Sequence, residues 1–301
     1  MRYVNWRRNF KPPMAGAMPH RFTSPASGWF ARLARLLTEP SKPAKSGTVW
    51  LVGAGPGAPD LLTVRALRVL QEADIVLHDA LVASAILDLV PPSAQRVNVG
   101  KRKGAHDFTQ REIGEMLVRE GRAGRRVVRL KAGDPLVFGR AGEEMAALAE
   151  AGIPVEIVPG VTAALAAAAD AKVPLTLRGV ASSLAFVTAQ EAEGADPQDW
   201  TALAATGATL AVYMGRSAGE TIRRRLMDAG MKDTTPVVAV ENAGRPERRI
   251  LGGTVADLPA LGARADLAGP LMIIVGPAVA QATVDPVLVE AIDAFVLDSA
   301  A

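Results

Sequence analysis

The sequence predicts an α/β protein made of two α/β domains. Three observations carry that prediction. From Thr48 onward, short apolar runs alternate with segments of helical periodicity. Turns rich in glycine and proline stand at the ends of those apolar runs. Beyond Gly160 the connections lengthen and the regular alternation breaks, which points to a second domain with antiparallel pairs.

Val49–Val52 reads as a short buried strand, followed by a helix over Leu62–Glu72 and a second strand at Ile75–Leu77. Ala83–Leu89 and Gln110–Glu120 have helical spacing, with strands at Arg96–Val99 and Arg126–Leu130. A helix over Glu143–Ala151 ends at Gly152, where glycine takes a left-handed cap at little cost. Val155–Val158 is a strand stopped by Pro159-Gly160. The alanine-dense stretch Thr162–Ala171 predicts a helix small enough to pack closely against a ligand or another backbone. Strands follow at Ala185–Thr188, Thr209–Tyr213, Val237–Val240 and Met272–Val275, with helices over Ala218–Ala229 and around Leu258. The expected boundaries are a basic, disordered leader over 1–46, domains over 47–159 and 160–280, and a C-terminal helix or tail over 281–301.

Composition narrows the chemistry. The net charge of +3 hides an asymmetry, because residues 1–46 hold nine basic side chains and one acid. Residues 47–301 are left mildly acidic, with 25 basic and 30 acidic side chains, so no nucleic-acid partner is expected. The scarcity of aromatic rings agrees, since single-stranded nucleic acid is bound by stacking. With no cysteine, disulfides, thiolate metal sites and a cysteine nucleophile are excluded, and a reducing cytoplasm is the expected compartment. With three histidines the sequence argues against a histidine-rich metal site, and no apolar run reaches the roughly 20 residues that span a bilayer.

The loop Gly53–Thr63 (GAGPGAPDLLT) lies between a strand and a helix, where a dinucleotide fingerprint would sit. Its third glycine is replaced by Ala58, and Pro56 and Pro59 carry no N–H to aim at a phosphate. The loop therefore suits a neutral or cationic ligand better than a pyrophosphate, with a plain tight turn as the lesser alternative. Asp79 ends a strand and can accept a proton or a pyrrole N–H, or merely cap the following helix. Lys101 lies in VGKRKG, as a proton donor or anion contact, or as part of a solvated basic patch. In LKAGDPLVFGRAGEE, the Gly133-Asp134-Pro135 turn lets backbone approach a ligand. Arg140 and Glu143 share one face of a helix start, where Arg140 suits a carboxylate partner. Thr162 is placed to cap its helix, and Met214 is core filler or a surface for adenine.

Together these segments resemble the tetrapyrrole methylase family, and within it the uroporphyrinogen-III C-methyltransferases. The likeness covers about Thr48 to Ala280. It rests on an ordered set: GAGPG, HDALV, VGKRKG, LKAGDPLVFGRAGEE, VPGVTAA, PLTLRG, YMG, VEN and GPLMIIVG. The resemblance implies S-adenosylmethionine in the cleft between two α/β domains, S-adenosylhomocysteine as product, no metal, and a homodimer. It implies methylation of uroporphyrinogen III at C2 and C7 to precorrin-2, for sirohaem, cobalamin or haem d1. It places the cofactor at Pro56, Ala132, Gly133, Asp134, Val137, Thr162, Ala163, Met214 and Ala243, with Pro270, Leu271 and Met272 as further contacts. Asp79 matches the family's proton acceptor and Lys101 its donor, while Arg140, Glu143 and Arg178 fall at substrate-facing positions. The chain departs from the family at Ala58 and Ala132, and at Leu177 and Gln190 where histidine is usual. A later precorrin, a non-tetrapyrrole substrate and a nicotinamide-dependent oxidoreductase remain the alternatives.

Overall fold

A computed structural model describes residues 47–100, 108–190, 198–283 and 289–293. The leader expected over 1–46, Lys101 and Arg102 lie outside the described residues.

The first sheet is parallel throughout, with strands β1 (Val49–Gly53), β2 (Ile75–His78), β3 (Gln95–Asn98), β4 (Val127–Lys131) and β5 (Val155–Val158). Their order is β3-β2-β4-β1-β5. Strands β1, β2 and β4 are buried along their whole length, which is why they read as continuous apolar runs rather than alternating ones. Helices α1 (Val64–Gln71), α2 (Ser84–Leu87), α3 (Gln110–Arg122) and α4 (Ala141–Glu150) connect them. Helix α1 begins two residues later than the periodicity suggests. Pro59–Leu61 forms a 3-10 turn first, and the Thr63 hydroxyl then accepts from Ala66 N at 3.1 Å as the cap. Thr109 and Glu112 close a reciprocal capping box on α3.

The second sheet is mixed: β11-β9-β8-β10-β7-β6. Its strands are β6 (Leu184–Thr188), β7 (Thr209–Tyr213), β8 (Pro236–Glu241), β9 (Arg249–Thr254), β10 (Leu271–Val275) and β11 (Val289–Ala291). Strand β10 runs antiparallel to both β7 and β8, as the longer connections suggest. Helices α5 (Ala163–Asp170), α6 (Trp200–Ala205), α7 (Gly219–Asp228) and α8 (Ala260–Ala263) accompany it. Alanines of α5 pack on Val238, Met272 and Ile274, so the alanine run serves close packing against the sheet. Three elements, α6, β9 and β11, were not anticipated by pattern. In the span expected as a C-terminal helix or tail, the described residues instead hold β11, parallel to β9. The fully buried Arg264 fixes it, donating to Ala291 O at 3.0 Å and to Glu290 Oε2 at 2.9 Å. Among the described residues no helix is long and apolar enough to cross a membrane.

Candidate functional site

Three loops meet at the carboxyl ends of β1, β4 and β5, and glycine makes the meeting possible. A Cβ on Gly53 would stand 2.6 Å from the Cα of Gly160, and one on Gly160 would strike the carbonyl oxygen of Gly133. Gly55 and Gly133 exchange two backbone hydrogen bonds, at 3.1 and 2.8 Å, and both adopt positive φ. The Gly53 loop is thus braced by the β4 loop. It leads into the 3-10 turn Pro59–Leu61 before α1 begins, and Pro59 at the start of that turn has no N–H to offer a phosphate. That geometry counts against the dinucleotide alternative.

In the second sheet, β7 and β8 end where β10 begins, because β10 is antiparallel to both. Their ends and the start of α5 face the loops after β1, β2 and β4 across a cavity of about 530 Å³. That volume falls in the range of small-molecule and cofactor pockets. All twelve positions expected to meet the cofactor line it: Pro56, Ala132, Gly133, Asp134, Val137, Thr162, Ala163, Met214, Ala243, Pro270, Leu271 and Met272.

Local chemistry fixes several of these groups. Asp134 accepts from Leu136 N at 2.8 Å through one oxygen and from Gly160 N at 3.0 Å through the other, pinning the β4 loop to the β5 loop. Thr162 stands at the N-cap position of α5, yet its hydroxyl makes no cap bond. It lies 2.6 Å from the Tyr213 hydroxyl instead, which corrects the expected capping role. Burial pushes the Tyr213 phenol above its ordinary pKa, and the Thr162 hydrogen bond only partly opposes this. Met214 adopts φ +55°, a strained conformation, is about half exposed and lines the cavity.

The other expected residues lie elsewhere. Asp79, at the end of β2, does not cap α2, whose N-cap is Ala83. Its carboxylate is paired with Arg129. Arg140 and Glu143 hold each other in a two-bond pair at 2.7 and 2.8 Å on an exposed surface. Arg178 is exposed in the turn bracketed by Leu177 and Ala181. None of these four lines the cavity.

A buried charge cluster stands behind Asp79, and the expected site did not include it. Arg129 and Lys131 are two residues apart on β4 and so share a face of the sheet. Glu144, with a wholly buried side chain, accepts from Arg129 Nε at 2.9 Å and from Lys131 Nζ at 2.9 and 3.0 Å. Gln110 Nε2 adds a fourth bond at 3.1 Å. Burial works against the Arg129 charge, but Asp79 and Glu144 outweigh it and raise its pKa. For Lys131, burial and then the neighbouring Arg129 prevail, so its pKa is lowered despite Glu144. Two cations inside a central strand were the signal available in the sequence, since buried charges need partners. Phe138, Tyr213, Arg216 and Arg245 also line the cavity without having been singled out as ligand contacts. The Phe138 and Tyr213 rings pack with centroids 4.8 Å apart across the two halves.

Residues 48–259 match the family of Tetrapyrrole (Corrin/Porphyrin) Methylases. Among curated proteins, a siroheme synthase of Azotobacter vinelandii is 44% identical over 278 residues, covering 92% of this chain and 59% of that protein. A siroheme synthase of Chromobacterium violaceum is 49% identical over 235 residues, covering 78% of this chain and 50% of the relative. The chain therefore spans about half to three-fifths of the length of these relatives. The solved uroporphyrin-III C-methyl transferase of Thermus thermophilus, in a complex with S-adenosyl homocysteine, is 40% identical with a TM-score of 0.67, covering 78% of this chain and 99% of that one. A cobalt precorrin-4 methyltransferase is 33% identical with a TM-score of 0.69, covering 77% of this chain and 96% of that one. With the sheet orders, the glycine-lined cleft and a match over most of its length, the chain belongs to the tetrapyrrole methylase family.

Proposed function

We propose that this chain is an S-adenosylmethionine-dependent C-methyltransferase that converts uroporphyrinogen III to precorrin-2 by methylation at C2 and C7. The observation that carries the reading is the cavity between the two sheets, into which all twelve expected cofactor positions fall. Support for the substrate comes from the Thermus thermophilus enzyme, nearly all of whose length is matched. The cavity also suits the donor chemically. Pro56 offers no N–H to an anion, Met214, Val137 and Leu271 supply apolar surface, and among the described residues Asp134 is the one carboxylate in a wall that also carries Arg216 and Arg245. A sulfonium cation with an adenosyl group and no phosphate fits that set.

When bound, the donor supplies an electrophilic methyl group. The protein's part is alignment and the handling of one proton. Asp134, tied to the β5 loop, and Thr162, tied to Tyr213, hold the cavity wall in register. Asp79 accepts the proton released as the pyrrole is methylated, and Arg129 fixes its carboxylate at the end of β2. Lys101 is the proposed proton donor. Arg140, Glu143 and Arg178, all exposed, are the proposed contacts for the eight-carboxylate macrocycle. Arg140 meets a substrate carboxylate by exchanging its Glu143 partner, a change made easy because exposed ion pairs contribute little. By family likeness the enzyme acts as a cytoplasmic homodimer.

The test is transfer of labelled methyl from S-adenosylmethionine to freshly reduced uroporphyrinogen III, alongside later precorrins as competing acceptors. Preference for uroporphyrinogen III is expected. In Asp79→Asn, methyl transfer should fall about 100-fold or more with donor affinity retained, as for loss of a general base. An unaltered rate in that variant would remove Asp79 from the chemistry.

A further inference from the structure

We infer that Arg245 is a positioning residue for the methyl donor, clasping two loops of the first sheet to the second and so setting the width of the cavity. The inference rests on the methyl-donor reading above.

Arg245 lies in the turn between β8 and β9, just beyond Ala243. Its Nε donates to the carbonyl of Pro56 at 3.2 Å, and its Nη2 donates to the carbonyl of Leu81 at 2.8 Å. Those acceptors belong to the separate loops that follow β1 and β2, and Pro56, Leu81 and Arg245 all border the cavity. One planar guanidinium thus joins three loops, a geometry that a single ammonium cannot reproduce. The base of the turn is itself anchored, because Gly244 N donates to Asp170 Oδ2 at 2.6 Å at the end of α5.

Neighbouring positions are shaped to admit the clasp. A Cβ on Gly57 would stand 2.7 Å from Cγ and Nε of Arg245, and one on Gly244 would stand 2.6 Å from Cγ of Pro56. Both glycines hold positive φ, at +149° and +71°. Among the described residues no carboxylate pairs with Arg245, so carbonyl oxygens alone hold it. Its neighbour Arg248 differs, reaching Asp170 Oδ1 at 3.2 Å as an ordinary ion pair. The contacts of Arg245 converge on the cavity wall.

Calorimetric titration of the full chain with S-adenosylhomocysteine tests this without any macrocycle. Arg245→Ala should weaken binding about tenfold or more, as for loss of charge-assisted hydrogen bonds, with little change in melting temperature. Arg245→Lys, which can meet only one of the two carbonyls, should fall between Ala and wild type. In turnover, KM for S-adenosylmethionine should rise by more than kcat falls. A folded Arg245→Ala protein with wild-type affinity overturns the inference. Should the Ala variant fail to fold, the Lys variant decides, and wild-type affinity there overturns it equally. A wild-type protein that binds no S-adenosylhomocysteine would instead overturn the methyl-donor reading itself.

Discussion

Glu144→Ala removes the one carboxylate that joins Arg129 to Lys131, and its consequence follows from burial. The Glu144 side chain is wholly buried, and those of Arg129 and Lys131 are 3% exposed. Four hydrogen bonds vanish, and Arg129 keeps Asp79 while Lys131 loses its carboxylate. Breaking a buried pair in this way costs about 3–5 kcal/mol, because the remaining cation stays desolvated. For a unit of this size the melting temperature should fall by roughly 6–20 °C. The loss should shrink as pH rises. Lys131 already titrates below its ordinary 10.5 because of burial, and without Glu144 its folded-state pKa drops further. Between that lowered value and 10.5 the unfolded chain holds a proton that the folded chain lacks, so stability rises with pH across that window. Thermal unfolding of wild type and variant at pH 7 and pH 9.5 reads both effects. Glu144→Gln with Lys131→Met should recover part of the loss, since a neutral packed pair tolerates burial better. A melting shift under about 2 °C, or a difference between the proteins that grows with pH, would refute this account of the cluster.

Other perturbations test the same physics elsewhere. Gly160→Ala drives a Cβ into the Gly133 carbonyl and within 3.0 Å of Gly53, so the three-loop junction must open. Lost S-adenosylhomocysteine binding and about 1–3 kcal/mol of destabilisation are expected by calorimetry and denaturant titration. Tyr213→Phe removes the 2.6 Å contact with Thr162 and should cost about 0.5–1.5 kcal/mol of stability, with weaker donor binding. At acid pH, hydrogen bonds from Arg126, Arg264 and Arg249 hold Asp74, Asp266 and Glu290 respectively below their ordinary values of 3.8, 3.8 and 4.5. Their contribution is complete above those ordinary values and is lost as pH falls toward the lowered ones. Melting temperature should therefore drop steeply below about pH 4, and Arg249→Met should flatten that drop.

The sequence made some features legible and hid others for identifiable reasons. Buried parallel strands such as Val49–Gly53 announce themselves as apolar runs, and Gly152, at φ +67, ends α4 where its residue type predicts. Strand β9 (RILGGT) has no alternation to read. A Cβ at Gly252 or Gly253 would come within 3 Å of side-chain atoms of Val289 or Asp257, which would have to shift. Strand β11, three residues long, exists through its pairing with β9 and its arginine contacts, none of which is local. The family resemblance named the twelve cavity residues, but it did not reveal the partners of Asp79 or Thr162. Arg129 and Tyr213 are distant in sequence and become neighbours only when the sheets form. The Gly53 loop shows the same division. Its prolines argued against phosphate, whereas its brace on Gly133 and its clasp by Arg245 required the fold.

The most direct test of the central claim is the mass of the macrocycle after incubating the purified chain with S-adenosylmethionine and fresh uroporphyrinogen III. The account predicts a product two methyl groups heavier, with two S-adenosylhomocysteine molecules released per macrocycle. An unmodified macrocycle, under conditions where the donor binds, would contradict it.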